Sequence, residues 1–214
     1  MVKKLRVGIV FGGRSGEHEV SLAGAASVLA AIDRSRFEVV PIGIARDGRW
    51  LVGGDPLRAL GEEAARRTLG SAGAEAATKR ELLERAAAVD AGTALARMES
   101  SESLPSDLRA SLDVVLIMLH GPQGEDGTIQ GLLELAGIPY SGAGVLASAV
   151  GMDKGAMKDM FRAHGLPVVD YAVVRRHDWE RDRQAVEREV AREIGFPCFV
   201  KPANLGSSVG ISKV

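Results

Sequence analysis

Several features that would assign a protein to a special class are missing from this sequence. Among its 214 residues there is one cysteine, Cys198. A lone thiol makes no internal disulfide, so a reducing, cytoplasmic setting is expected, with Cys198 a small buried hydrophobe in an apolar strand. There is no excess of one charge: 27 Lys and Arg stand against 28 Asp and Glu, for a formal net charge of −1. That balance excludes the basic footprint of a nucleic-acid binder. No apolar run is long enough to span a bilayer, so no membrane association is expected. Lys3-Lys4 leads directly into Leu5–Phe11 and a glycine pair, too short and too abrupt for a signal peptide. Internal repeats and low-complexity tails are absent, as are a Walker A loop and a G-x-G-x-x-G fingerprint.

What is present is an alternation of apolar strands and amphipathic helices. Residues 5–11 read as a buried strand, followed by a Gly12-Gly13 turn and a helix whose apolar face carries Val20, Leu22, Ala26, Leu29 and Ile32. A second strand runs from Phe37 to Ala45, and a strand, helix and strand of this size predict a parallel pair with a right-handed crossover. Trp50–Val52 forms a short piece after an Asp47-Gly48 turn. From Pro56 to about Met98 the composition shifts to Ala, Glu and Arg at helical spacing, interrupted by Gly70–Gly73, which reads as a helical excursion over the sheet edge. Leu112–Leu119 is the strongest strand. A helix at 129–136, a short strand at 138–140 and a small-residue helix at 143–150 complete a first domain, residues 1–150. A second cycle starts at Gly151: helix 153–163, strand 168–174, charged helix 179–194 and strand 199–201. The fold class expected is α/β, a Rossmann-like parallel-sheet domain (1–150) followed by the beginning of a second, nucleotide-binding domain (151–214).

Three loops could carry chemistry. The last is Lys201-Pro202-Ala203-Asn204-Leu205-Gly206-Ser207-Ser208-Val209-Gly210. A lysine closes an apolar strand, glycines free the backbone to aim N–H groups at an anion, and Ser207 and Ser208 add hydroxyl donors. Because the lysine precedes the glycines and the exit is extended, a hairpin lid over nucleotide phosphates fits better than a Walker A cradle. Lys154, in the first turn of its helix after Asp153, could reach the same phosphates, while Asp153 could be only an N-cap. The first loop, Gly12-Gly13-Arg14-Ser15-Gly16-Glu17-His18-Glu19, follows the first strand at the carboxyl edge, where α/β sheets place ligands. There Glu17 could hold an ammonium and the helix N-terminus a carboxylate, as for a small zwitterion. Alternatively, Glu17, His18 and Glu19 form a solvated first turn. The remaining loop, His120-Gly121-Pro122-Gln123-Gly124-Glu125-Asp126-Gly127, follows the strongest strand; His120 and Glu125 could orient a substrate amine.

Taken in order, Phe11–Ser21, His120–Gly127, Ser148–Lys154 and Lys201–Lys213 resemble the D-alanine–D-alanine ligases of the ATP-grasp superfamily. The resemblance runs from residue 5 to the last residue, apart from the helical excursion. It implies an amino-terminal pre-ATP-grasp domain and the first part of an ATP-grasp domain. It also implies an ADP-forming ligase that phosphorylates one D-alanine and joins the resulting D-alanyl phosphate to a second, for peptidoglycan synthesis. By motif position, Glu17 and Ser207 would be catalytic, joined in one hydrogen-bonded network. Glu17, His120 and Glu125 would bind substrate, and Lys154, Lys201, Ser207 and Ser208 would bind ATP. Mg²⁺ or Mn²⁺ would complete the site, with its ligands, the adenine strand, an arginine and a tyrosine loop expected beyond Val214, so the chain by itself is expected to be incomplete and inactive. A homodimer is the expected assembly. Gln123 departs from the aromatic or glycine common in the family. The alternatives are another ATP-grasp ligase, such as one joining D-alanine to D-lactate, and a non-catalytic binding or dimerising module.

Overall fold

A computed structural model describes residues 3–68, 81, 99–101, 105, 108 and 111–214. The chain separates into two compact units, residues 1–148 and 149–214.

The first unit is built on a six-stranded sheet of order β4-β3-β2-β1-β5-β6, with β1 at Leu5–Gly12, β2 at Phe37–Ile44, β3 at Trp50–Val52, β4 at Glu99–Ser101, β5 at Val114–Ile117 and β6 at Tyr140–Ser141. β2, β1, β5 and β6 are parallel, in a register that sets Val7 between Val39 and Val114. The sheet is mixed rather than purely parallel. β3 folds back antiparallel on β2 through the Asp47-Gly48 turn, and β4 continues that edge.

Alternation along β1 shows why both faces are covered. Val7, Ile9 and Phe11 point to α1 (His18–Ala31) and α2 (Pro56–Thr68), where Leu22, Leu29, Leu57 and Leu60 meet them. Val10 points the other way, to Leu112, Val115 and the Ile129 and Leu133 face of α3 (Thr128–Ala136). A central parallel strand buried on two faces has to be apolar throughout, as Val7–Phe11 is. α4 spans Val145–Met152. The part of the helical excursion between residues 69 and 98 lies outside the described residues, except Glu81.

The second unit contains α5 (Lys154–Ala163), α6 (Arg176–Arg181), α7 (Arg183–Glu193) and a two-stranded antiparallel ribbon of β7 (Phe199–Val200) and β8 (Ser212–Lys213). Three expectations are corrected here. The charged segment at 179–194 is two helices, because Asp182 leaves helical geometry (φ −154°) and caps α7 by accepting from the Ala185 N–H at 2.9 Å. Residues 168–174 form no strand. Among the described residues nothing pairs with them, and the segment lies along α5 instead. Tyr171 donates its hydroxyl to Asp159, and the Lys158 and Arg162 cations stand 4.6 and 4.5 Å from its ring. Cys198 precedes β7 and is half-buried, not part of a sealed core.

Candidate functional site

The strand order fixes where a ligand can sit in the first unit. From β1 the chain moves out to β2 on one side, and later returns to β5 on the other. The loops leaving the carboxyl ends of β1 and β5 therefore diverge, and the crevice between them is the topological switch point of the sheet.

Backbone geometry closes that crevice tightly. Gly12 takes φ +92°, and a Cβ there would fall 2.3 Å from the Ile44 carbonyl oxygen, so only glycine fits. The next amide, Gly13 N–H, donates to that same oxygen at 2.7 Å. Ser21, fully buried on α1, accepts from Gly12 N–H at 2.8 Å and donates to Met118 O at 2.6 Å. One hydroxyl thus ties the ends of β1 and β5 to the helix between the two loops.

The first helical turn is not solvated. His18 and Glu19 are 2% and 6% exposed, whereas Val20, assigned above to the apolar face, is 45% exposed. His18 Nδ1 lies 2.7 Å from Gly13 O, an acceptor, which places the ring proton on Nδ1. Burial lowers its pKa from 6.5, with the nearby Arg46 cation adding to that effect and the Gly13 hydrogen bond opposing it. For Glu19, burial acts to raise the pKa, but hydrogen bonds from Arg46 and that cation's charge prevail and the net shift is downward. Arg46 Nη2 reaches both Glu19 oxygens, at 2.6 and 2.7 Å.

Glu17, half-buried, ends the β1 loop, and its backbone N–H donates to Ser15 Oγ at 3.2 Å. Its carboxylate faces the β5 loop: a Cβ on Gly121 would stand 3.0 Å from Glu17 Oε2. Glu125 Oε2 accepts the Gly121 N–H at 2.7 Å. The two carboxylates expected at the substrate thus both lie beside one glycine at φ +71°. His120, next to it, is half-buried with its Nε2 toward Gly24 of α1. A cavity of about 280 Å³ opens at this sheet end, walled by Ile44, Trp50, Leu119, Ile129 and Leu132. His120 lines it; Glu17 and Glu125 do not.

Gln123 adopts φ +70°, a left-handed conformation that favours glycine. Asp126 holds that turn, accepting from Gln123 N–H at 2.8 Å and Thr128 N–H at 3.0 Å.

In the second unit Asp153 caps α5, accepting from Ala156 N–H at 2.9 Å. Lys154 turns onto the Ser/Gly loop, where its ammonium donates to Ala203 O at 3.3 Å and to Leu205 O. Two of its three protons hold the loop backbone, leaving one for an anion. Ser207 and Ser208 occupy the left-handed region (φ +48° and +60°) between Gly206 O and Val209 N–H, a 3.0 Å turn bond. Both are exposed, as is Lys201 one residue after β7. Two lysines, two outward serines and a glycine-rich turn fit a polyphosphate. Among the described residues no group of three or more His, Cys, Asp or Glu is placed to hold a metal ion.

The sequence gives no sign of what Ser15, Ser21 and Arg46 do here, and it offers Glu19 only as part of a first turn that the structure shows to be buried. Their signal is tertiary: nothing in the spacing shows that the residue after Ala45 lies beside α1.

Comparison with known proteins completes the picture. A family model described as the D-ala D-ala ligase N-terminus matches residues 6–143, and one described as the D-ala D-ala ligase C-terminus matches 160–214. The chain is 50% identical over 220 residues to the D-alanine–D-alanine ligase of Streptomyces coelicolor, covering 98% of this chain and 53% of that protein. It is 45% identical over 213 residues to that of Natranaerobius thermophilus, covering 100% and 54%. Among solved structures, the D-alanine-D-alanine ligase of Coxiella burnetii superposes with a TM-score of 0.71 at 32% identity, covering 99% of this chain and 56% of that one. The VanG D-Ala:D-Ser ligase of Enterococcus faecalis gives 0.70 at 30% identity, covering 99% and 55%. The chain belongs to the D-alanine–D-alanine ligase family. It spans about half the length of the curated relatives it matches.

Proposed function

We propose that this chain, extended to the length of its relatives, is a cytoplasmic D-alanine–D-alanine ligase serving peptidoglycan synthesis. The observation that carries the reading is the convergence of Glu17, Gly121 and Glu125 at the switch point of the sheet, in a chain 50% identical to a D-alanine–D-alanine ligase. Glu17 holds the ammonium of the first D-alanine, with His120 and Glu125 completing its pocket. Glu125 does so through the backbone it fixes at Gly121, since one of its oxygens is committed there.

ATP, when bound, supplies the phosphoryl group that activates a carboxylate; Mg²⁺ or Mn²⁺ belongs to the same proposal. Lys201 and the remaining proton of Lys154 neutralise phosphate charge. The hydroxyls of the exposed Ser207 and Ser208 donate where negative charge builds. Ser207 is proposed as catalytic together with Glu17. The domain division is proposed at residue 150, with the ATP-grasp portion beginning at 151, and the assembly as a homodimer.

The second substrate is proposed as D-alanine. The D-Ala:D-Ser ligase that superposes at a TM-score of 0.70 keeps the second amino acid as the point to test. The extended protein should form ADP from ATP when D-alanine is supplied and respond far more weakly to L-alanine. The dipeptide, identified by mass, should be D-alanyl-D-alanine even with D-serine or D-lactate present. Equal rates with both alanine enantiomers would remove the reading. Lys201→Ala should lower kcat/KM by about 10²–10³-fold, the typical loss for one transition-state charge contact.

A further inference from the structure

Arg46 stands just past the end of β2, joined to Ser15 of the β1 loop and to Glu19 in the first turn of α1. Its Nη2 chelates the Glu19 carboxylate, its Nη1 donates to Ser15 O at 3.2 Å, and Ser15 Oγ in turn accepts the Glu17 N–H at 3.2 Å. Glu19 is buried, with 8% of its side chain exposed, and Arg46 retains 26%. Ion pairs this well covered contribute little net stability, because desolvating both charges cancels most of their attraction. What such a pair does supply is direction. A guanidinium is a planar fork, and with one arm on Glu19 and the other on Ser15 it fixes the height of the loop above the sheet. Glu17 is two residues from Ser15, and its carboxylate occupies the space beside Gly121 that a side chain there would need: a Cβ on Gly121 would stand 3.0 Å from Glu17 Oε2. A shift of the loop would move that carboxylate relative to Gly121 and the crevice.

We infer that Arg46, braced by Glu19, is a positioning residue that sets the Glu17 carboxylate for the ammonium of the first amino acid. The inference rests on the reading of Glu17 given above. It separates Arg46 from the residues that touch substrate: Arg46 acts through Ser15 on Glu17, and its loss is felt in amino-acid binding before nucleotide binding.

The test uses the extended protein and three variants. Arg46→Met alone leaves Glu19 buried and unpaired and should lower the melting temperature. Glu19→Met/Arg46→Met removes both charges, and so recovers most of that loss. In both, the KM for D-alanine should rise about tenfold or more, within the roughly 10²-fold that a misplaced catalytic group can cost, while the KM for ATP stays within about twofold. Arg46→Lys keeps the charge but not the fork, and should leave the D-alanine KM raised. Amide hydrogen exchange without ligand should quicken at residues 15–17 in the double variant while β1 stays protected. A double variant with the parent's D-alanine KM and the parent's loop protection would overturn the inference and reduce the pair to scaffolding. If the parent shows no D-alanine dependence, the proposed function fails, and the exchange measurement still decides whether Arg46 holds the loop.

Discussion

The two units of this chain bury their apolar residues to very different extents. In residues 3–148, Ile9, Phe11, Leu22, Ile42 and Leu57 are completely enclosed, because helices cover both faces of the sheet. In residues 149–214 one large apolar side chain, Val186, is buried, while Phe196, Phe199, Val200 and Val214 stand at 62, 63, 55 and 53% exposure. A two-stranded ribbon with bare faces is marginal in water. The units also hold their functional groups differently. In the first unit the loop after β1 is fixed by buried hydroxyl, imidazole and guanidinium contacts. In the second unit the Ser/Gly turn is exposed, and the Lys154 ammonium donates to the backbone leading into it. The loops of the first unit thus stand on an enclosed frame, and the Ser/Gly turn of the second on a sparsely covered one.

The largest effect expected from this contrast is in core truncations. Leu22→Ala, at a fully enclosed position, should cost about 2–5 kcal/mol in urea unfolding of residues 1–214. Phe199→Ala should cost roughly 0.5 kcal/mol or less, as exposed substitutions do. Similar losses at both positions would erase the distinction between the units.

Acid should act on the first unit through His18. Burial holds its folded pKa below 6.5, so the unfolded chain takes up the proton first as pH falls. The contribution of a neutral His18 is complete above 6.5 and is lost progressively as pH drops from there through the folded value. Glu19, lowered from 4.5, contributes in the same sense only in more acid solution. The melting temperature should therefore decline between pH 7.5 and 5. His18→Gln should flatten that decline, measured by calorimetry against the parent. An unchanged slope would assign it to other groups.

The smallest effect sharpens the account of the β5 loop. Gln123→Gly relieves a left-handed side-chain residue at an exposed position, and should stabilise by about 1 kcal/mol or be neutral after the added chain entropy. A clear destabilisation would show that the Gln123 side chain does more than tolerate its backbone.

The parts legible in the sequence were those set by local pattern. Continuous apolar runs located β1, β2 and β5, and the loops after β1 and β5 followed from the strands. Glycines at 12 and 121 marked sharp backbone, as their positive φ values show. The chemistry beneath the site was not legible, because it depends on residues brought together across 27 positions, as with Arg46 and Glu19. The helix face was misjudged at Val20 because α1 begins by burying polar groups, His18, Glu19 and Ser21, ahead of Leu22. Val168–Val174 has the composition of a strand, but composition cannot supply a partner, and the segment lies on α5 instead. The helix at 179–194 concealed a break because Asp182 is tolerable inside a charged helix and better still as a cap.

Limited proteolysis of residues 1–214, with fragments mapped by mass, tests the contrast between the units most directly. A frame enclosed on both faces beside a sparsely covered unit predicts early cuts within 149–214, the Asn204–Gly210 turn among them, with β1, β2, β5 and α1 surviving in one resistant fragment. Early cleavage in those strands, with 149–214 protected, would contradict it.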